Sequence, residues 1–235
     1  MPFSDRRDAG RRLVERLRAF RGAEVVVLAV PSGGVEVAFE VATALRLPLE
    51  VVVVRKLCVP FQQPLVFGAV AEDEVQVIED DEMVRAFVSG KQRQQVLLEA
   101  RDTLARNVIA FRNGRARLPL AGRTAMIVDD GVTSGATARA ACASARAQGA
   151  DRVVYAVPVG SCRPIRDLAA LADNVVCLET PALFDSIGRW YRDYHEVGDA
   201  EVVDLLDRAN NRWLSAASGN AGPPEELISD GCRAE

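Results

Sequence analysis

Two adjacent carboxylates, Asp129 and Asp130, stand between an apolar run, Ala125-Met126-Ile127-Val128, and a run of small and hydroxyl residues, Gly131-Val132-Thr133-Ser134-Gly135-Ala136-Thr137. The apolar run reads as a buried strand that delivers the acids at its C-terminal end, where open α/β sheets bind ligands. Gly131, Gly135 and the small Ala136 let backbone N–H groups converge, and Thr133, Ser134 and Thr137 add hydroxyls. A helical pattern follows at once and brings the positive end of its dipole, which suits a phosphate dianion. Carboxylates beside a phosphate need a reason, because like charges repel. A sugar phosphate supplies one: the acids accept hydrogen bonds from the 2- and 3-hydroxyls while the loop holds the 5-phosphate. The plainer alternative is a strand ending in solvent, with Ser134 or Thr133 as an ordinary helix cap.

The surrounding pattern predicts how these residues are positioned. Residues 5–21 read as an amphipathic helix, with Leu13, Val14, Leu17 and Phe20 on one face and arginines on the others. Strands are predicted over 24–30, 49–55, 124–129, 152–157 and 174–178, with helices to about Leu45, over 136–148 and near 163–171. Continuous Val/Ile runs alternating with helices imply an α/β fold whose parallel sheet is buried on both faces. After the first strand, Pro31-Ser32-Gly33-Gly34 carries two glycines that permit backbone to approach an anion, although such turns are common without one. Arg55-Lys56 ends the second strand, either as an anion site or as a snorkelling strand end.

Between the second and third strands lies a long excursion. Residues 65–71 and 74–79 read as an antiparallel hairpin within a flexible loop over 57–80, and 82–112 as a helical insertion broken at Ser89-Gly90. The expected organisation is an N-terminal helix over 1–22, a core over 23–180, a C-terminal hood segment over 181–213 and a disordered tail over 214–235.

Composition narrows the function classes. Hydrophobic residues make up 49% of the 235, enough for a real core, and the net charge of −4 comes without a basic stripe that would name nucleic acid as a partner. Asp5, Arg6, Arg7 and Asp8 stand where a secretory signal needs an apolar run, and no membrane span is expected. Five cysteines without a C-x-x-C pair, and the single His195, argue against a structural zinc site and for a reducing, cytoplasmic setting. Gly131-Val132-Thr133-Ser134-Gly135 is not the G-x-S-x-G elbow of serine hydrolases, so Ser134 with His195 is a poor nucleophile–base pair. No G-x-x-x-x-G-K-[ST] or G-x-G-x-x-G stretch exists.

The segment 125–137 resembles the phosphoribosyl pyrophosphate (PRPP) motif of type I phosphoribosyltransferases. A further similarity, to a bacterial subgroup of that family of uncertain substrate, runs from about residue 3 to 210. It is carried by Arg55-Lys56-Leu57, Gly68-Ala69-Val70-Ala71, Val176-Cys177-Leu178-Glu179-Thr180-Pro181 and Ile187-Gly188-Arg189-Trp190-Tyr191. The resemblance implies transfer of a phosphoribosyl group from PRPP with Mg²⁺ to a small nitrogenous base, releasing pyrophosphate, in a homo-oligomer. It implies catalytic roles for Asp129, Asp130 and Lys56, with both aspartates holding Mg²⁺, directly or through water. Gly131, Thr133, Ser134, Gly135, Ala136 and Thr137 would bind the 5-phosphate; Pro31, Ser32, Gly33, Gly34, Arg55 and Lys56 the pyrophosphate. The hairpin would close over the site. Phe184, Trp190 and Tyr191, clustered with Tyr194 in a chain of 6% aromatics, would stack the base; the plainer alternative is that most of these rings cover the sheet edge.

The sequence departs from the family at four places. Ser32 stands where relatives carry arginine, Cys58 where the subgroup has glycine, and Phe61-Gln62-Gln63-Pro64-Leu65 where it has Gly-x-Pro-Glu. Thr133 stands where 6-oxopurine enzymes usually place an aspartate, which points away from hypoxanthine and guanine. These departures keep open a catalytically silent PRPP- or nucleotide-binding regulator of the same fold.

Overall fold

A computed structural model describes residues 3–60, 65–79 and 87–217. Asp5 opens the first helix, α1 (Arg6–Leu17), by accepting a hydrogen bond from the Asp8 amide at 2.6 Å, which satisfies a free N–H of the first turn. Strand β1 (Val25–Ala29) is buried at every position and passes after a short loop into α2 (Gly34–Leu45). There follow β2 (Leu49–Val51), β3 (Val54–Cys58), β4 (Val66–Ala71), β5 (Gln76–Ile78) and α3 (Gly90–Arg112), whose first turn is closed by a reciprocal Ser89–Gln92 capping box. The C-terminal half contains β6 (Thr124–Val128), α4 (Ala136–Ala147), β7 (Arg152–Val159), α5 (Cys162–Asp167), β8 (Asn174–Glu179) and α6 (Asp199–Ala217).

The main sheet has the order β2-β1-β6-β7-β8 with every neighbouring pair parallel. Successive side chains point to opposite faces. Val25, Val27 and Ala29 therefore pack with Leu13 and Leu17 of α1, with α2, and with Val202, Leu205 and Leu206 of α6. Val26 and Leu28 pack instead with Ala138, Ala141, Cys142 and Ala145 of α4. Ala29, Val128 and Ala156 lie side by side across β1, β6 and β7, so the loops leaving β1 and β6 start at neighbouring points of one sheet edge.

Three expectations need correction. The strand read over 49–55 is two strands: β2 ends at Val51, and β3 belongs to a separate antiparallel sheet, β3-β4-β5. The break is set by a buried charge cluster, in which Val53 N donates to Glu72 Oε1 at 3.1 Å and Arg112 holds Glu72 by two hydrogen bonds of 2.6 and 3.1 Å. The hairpin is not a free flap, because Ala69 and Ala71 of β4 are buried against Ala136 and Ala140 of α4. The rest of the expected flexible loop, 61–64 and 80, lies outside the described residues, as do 81–86 at the start of the helical insertion. Helix α6 runs to Ala217, so 214–217 are helical rather than tail, and 199–213 cover the sheet instead of forming a hood; 218–235 lie outside the described residues.

Candidate active site

Strand β6 presents Asp129 and Asp130 at its C-terminal end, 9% and 7% exposed. Asp129 Oδ1 accepts a hydrogen bond from the Asp130 amide at 2.8 Å, and the Tyr155 hydroxyl of β7 lies 3.4 Å from Oδ2. Burial, followed by the charge of Asp130, pushes the Asp129 carboxyl well above the usual carboxylate range; Lys56 of β3 pulls it the other way. Asp130 sits among donors: its Oδ2 accepts from Arg6 Nε at 2.9 Å and from the Tyr194 hydroxyl at 3.0 Å, and its carbonyl accepts from the Tyr191 hydroxyl at 2.6 Å.

The loop after β1 lies directly on these acids. A Cβ at Gly33 would stand 2.1 Å from Asp130 Oδ2, and one at Gly34 would stand 2.9 Å from the Asp129 Cα. Close approach, not positive φ, makes both positions glycine. The Pro31–Ser32 peptide bond is cis. After β6 the requirement is conformational: Gly135 has φ of 80° and supplies no side chain to cap α4, and the Ala136 amide donates a long hydrogen bond, 3.5 Å, to the Ser134 hydroxyl.

These elements enclose one cleft of about 700 Å³. Pro31, Ser32 and Gly33 line one wall, Arg55 and Lys56 a second, and Gly131, Thr133, Ser134, Gly135 and Thr137 the floor beside the two acids. Gly34 and Ala136 stand behind the lining; Ala136 is buried against β4. Thr137 Oγ1 is buried and has no hydrogen-bond partner among the described residues. A buried hydroxyl left unpaired costs about 1–3 kcal/mol, so its place in the loop favours an incoming acceptor.

Residues 6–188 match the phosphoribosyl transferase domain family. The chain belongs to the phosphoribosyltransferase family. Two Mycobacterium tuberculosis proteins named "Putative phosphoribosyl transferase", from strains CDC 1551 and H37Rv, are 50% identical over 230 residues, covering 94% of this chain and 51% of each relative. The chain thus spans about half the length of the curated relatives it matches. The crystal structure of TT1426 from Thermus thermophilus superposes with a TM-score of 0.72 at 37% identity, covering 88% of this chain and 98% of that one. The parallel sheet and the matched family together give the type I phosphoribosyltransferase fold.

Within that fold Phe184, Trp190 and Tyr191 take the plainer of their two readings, as covering rings and not as base-stacking ones. Phe184, Trp190 and Tyr191 do not line the cleft. They pack inward with Phe3, Ala9 and Val159, and Tyr191 is 5% exposed with its ring 5.5 Å from that of Phe3. From the segment between β8 and α6, the cleft is lined instead by Ile187, Tyr194, His195, Glu196 and Val197.

Arg6 is the functional residue that sequence reasoning missed. It is 4% exposed, donates to the His195 carbonyl at 2.8 Å, and carries its guanidinium 3.9 Å from the Tyr194 ring centroid. Burial works against its charge, but the hydrogen bond and charge of Asp130 outweigh that and hold the guanidinium more firmly protonated than usual. A signal was present. Arg6, Gly10, Leu13 and Leu17 follow one helical stripe, and all four are buried, so this arginine sits on the apolar face of α1.

Proposed function

We propose that the protein binds PRPP with Mg²⁺ in this cleft and transfers the phosphoribosyl group to a nitrogenous base. The observation that carries the reading is the meeting, in one cleft, of a phosphate-type loop holding an unpartnered Thr137 hydroxyl with two buried acids and the cations of β3. In that arrangement the loop 131–137 takes the 5-phosphate, and the carboxylates of Asp129 and Asp130 accept from the ribose hydroxyls. Arg55, Lys56 and the backbone of Pro31-Ser32-Gly33 face the pyrophosphate. The base nitrogen bonds to the ribose C1 as the C1–O bond to pyrophosphate breaks, and the pyrophosphate leaves with the electron pair.

The donor set fits Mg²⁺. Asp129 is a hard oxygen ligand whose ionised form is disfavoured by burial and by Asp130, so a cation nearby would stabilise it. Bound with PRPP, the ion would supply neutralisation of the pyrophosphate charge. For the acceptor, Thr133 in the cleft cannot act as an acid or base near neutral pH, which favours a base other than a 6-oxopurine.

A thermal-shift titration with PRPP and Mg²⁺, followed by a pyrophosphate-release assay across a panel of bases, tests the reading. At 100 times its dissociation constant PRPP should add about 2.7 kcal/mol of stability, and one base should give turnover. Stabilisation without turnover for any base would leave a PRPP-binding regulator of the same fold. No response to PRPP at all would overturn the proposal.

A further inference from the structure

We propose a second metal site, separate from the two acids of β6, in which Glu36, His195 and Glu201 bind one divalent transition-metal ion. Their ligand atoms lie within 4.8 Å of one another, with Glu36 Oε2 3.7 Å and Glu201 Oε2 4.0 Å from His195 Nε2. The three residues come from separate elements: Glu36 from the first turn of α2, Glu201 from the first turn of α6, and His195 from the segment before α6.

Two further observations point to a ligand. Glu36 is a buried carboxylate, its side chain 4% exposed, and its Oε2 accepts no hydrogen bond among the described residues. The Arg6 guanidinium stands 3.6 Å from this oxygen, too far to donate a hydrogen bond, so the lone pairs of a buried carboxylate oxygen are left for a ligand. In addition, Asp193 Oδ1 stands 3.4 Å from His195 Nδ1, on the opposite side of the ring from the two glutamates. The same Oδ1 accepts the His195 main-chain N–H at 3.2 Å, which holds the carboxylate beside Nδ1, the side of the ring an outer carboxylate takes when Nε2 ligates a metal.

Charge supports the same reading. Two guanidiniums face Glu36, Arg7 at 3.5 Å and Arg6 at 3.6 Å, the latter shared with Asp130 at 2.9 Å, while among the described residues Glu201 and Asp193 pair with His195 alone. The negative charge that remains around His195 is what a dication neutralises. One imidazole and two carboxylates suit zinc, manganese or cobalt better than magnesium, which prefers an all-oxygen shell. At metal–ligand distances of about 2.0–2.2 Å tetrahedral ligand atoms lie about 3.3–3.6 Å apart, so atoms up to 4.8 Å apart must close by as much as about 1.5 Å. His195 and Glu201, 44% and 36% exposed in their side chains, have the freedom to do so. The ion would pin the segment carrying Tyr194 and His195, one wall of the cleft, onto α2.

The test is titration of the chelator-stripped protein with Co²⁺, read by its visible absorption, and with Zn²⁺, read by calorimetry. One ion should bind per chain in the parent, and equally in the Asp129→Asn variant, which leaves the Arg6 contacts to Asp130 and Glu36 in place. Asp193→Asn should weaken binding by about 10–100-fold, the usual effect of losing an outer carboxylate, and His195→Ala and Glu201→Gln by more than that. These side chains are partly exposed, so the variants keep the fold, which circular dichroism verifies. Failure of the parent to bind either ion, or binding that survives His195→Ala unchanged, overturns the site.

Discussion

Arg6 ties together parts of the chain far apart in sequence. Its guanidinium meets Asp130 after β6 and Glu36 in α2, both buried, and the His195 carbonyl before α6. Removing one partner of such a buried pair leaves an uncompensated charge and costs about 3–5 kcal/mol. Arg6→Met should therefore lose stability of that order in urea unfolding, and Arg6→Met with Asp130→Asn should cost clearly less than the two single changes summed. Strictly additive losses would show that the two side chains do not act as a pair. At this scale the acids and the loop 131–137 were legible because one contiguous stretch carries strand, acids and phosphate loop together. Arg6 was harder: it is one of seven arginines in residues 1–22, and only its register on the helix marks it. Tyr194 could not be told from Tyr191, since the chain between β8 and α6 has no regular period to say which ring faces inward.

The antiparallel sheet is fixed to the core at its turn as well as along β4. Asp73, between β4 and β5, accepts from both terminal nitrogens of Arg117 at 2.7 Å and lies 3.4 Å from the Ser144 hydroxyl of α4. The hydrogen bonds from Arg117 hold its carboxyl below the usual carboxylate range. An acid with a depressed folded pKa binds fewer protons folded than unfolded, so its contribution is present above its unfolded value and lost as pH falls through the folded one. In urea midpoints the parent should lose this contribution from about pH 4 downward, whereas Asp73→Asn should lack it at every pH and show a shallower acid slope. An identical acid slope in the variant would remove Asp73 from the account. The alternation of strands and helices was legible because parallel strands buried on both faces read as unbroken apolar runs. The split between β2 and β3 was not: Val51-Val52-Val53-Val54 is itself unbroken, and the side chains that end the ladder, Glu72 and Arg112, are remote in sequence. Helix α6 ran past its expected end because Ser215-Ala216-Ala217 opposes helix formation only weakly.

For the whole molecule, family membership and the geometry of the cleft converge on the same edge of the sheet, while the curated relatives are about twice as long as this chain. The central claim is that Asp129 and Asp130 read ribose while the loop beyond them reads phosphate. Calorimetry on the parent and on the Asp129→Asn, Asp130→Asn variant, with PRPP–Mg²⁺ and separately with orthophosphate, tests it directly. Loss of two charge-assisted hydrogen bonds at about 1.5–3 kcal/mol each predicts a fall in PRPP affinity of roughly 100-fold or more. Orthophosphate should bind as well as before or slightly better, because negative charge beside the loop is gone. A variant that binds PRPP as tightly as the parent would show the two acids to be a strand end and contradict the account.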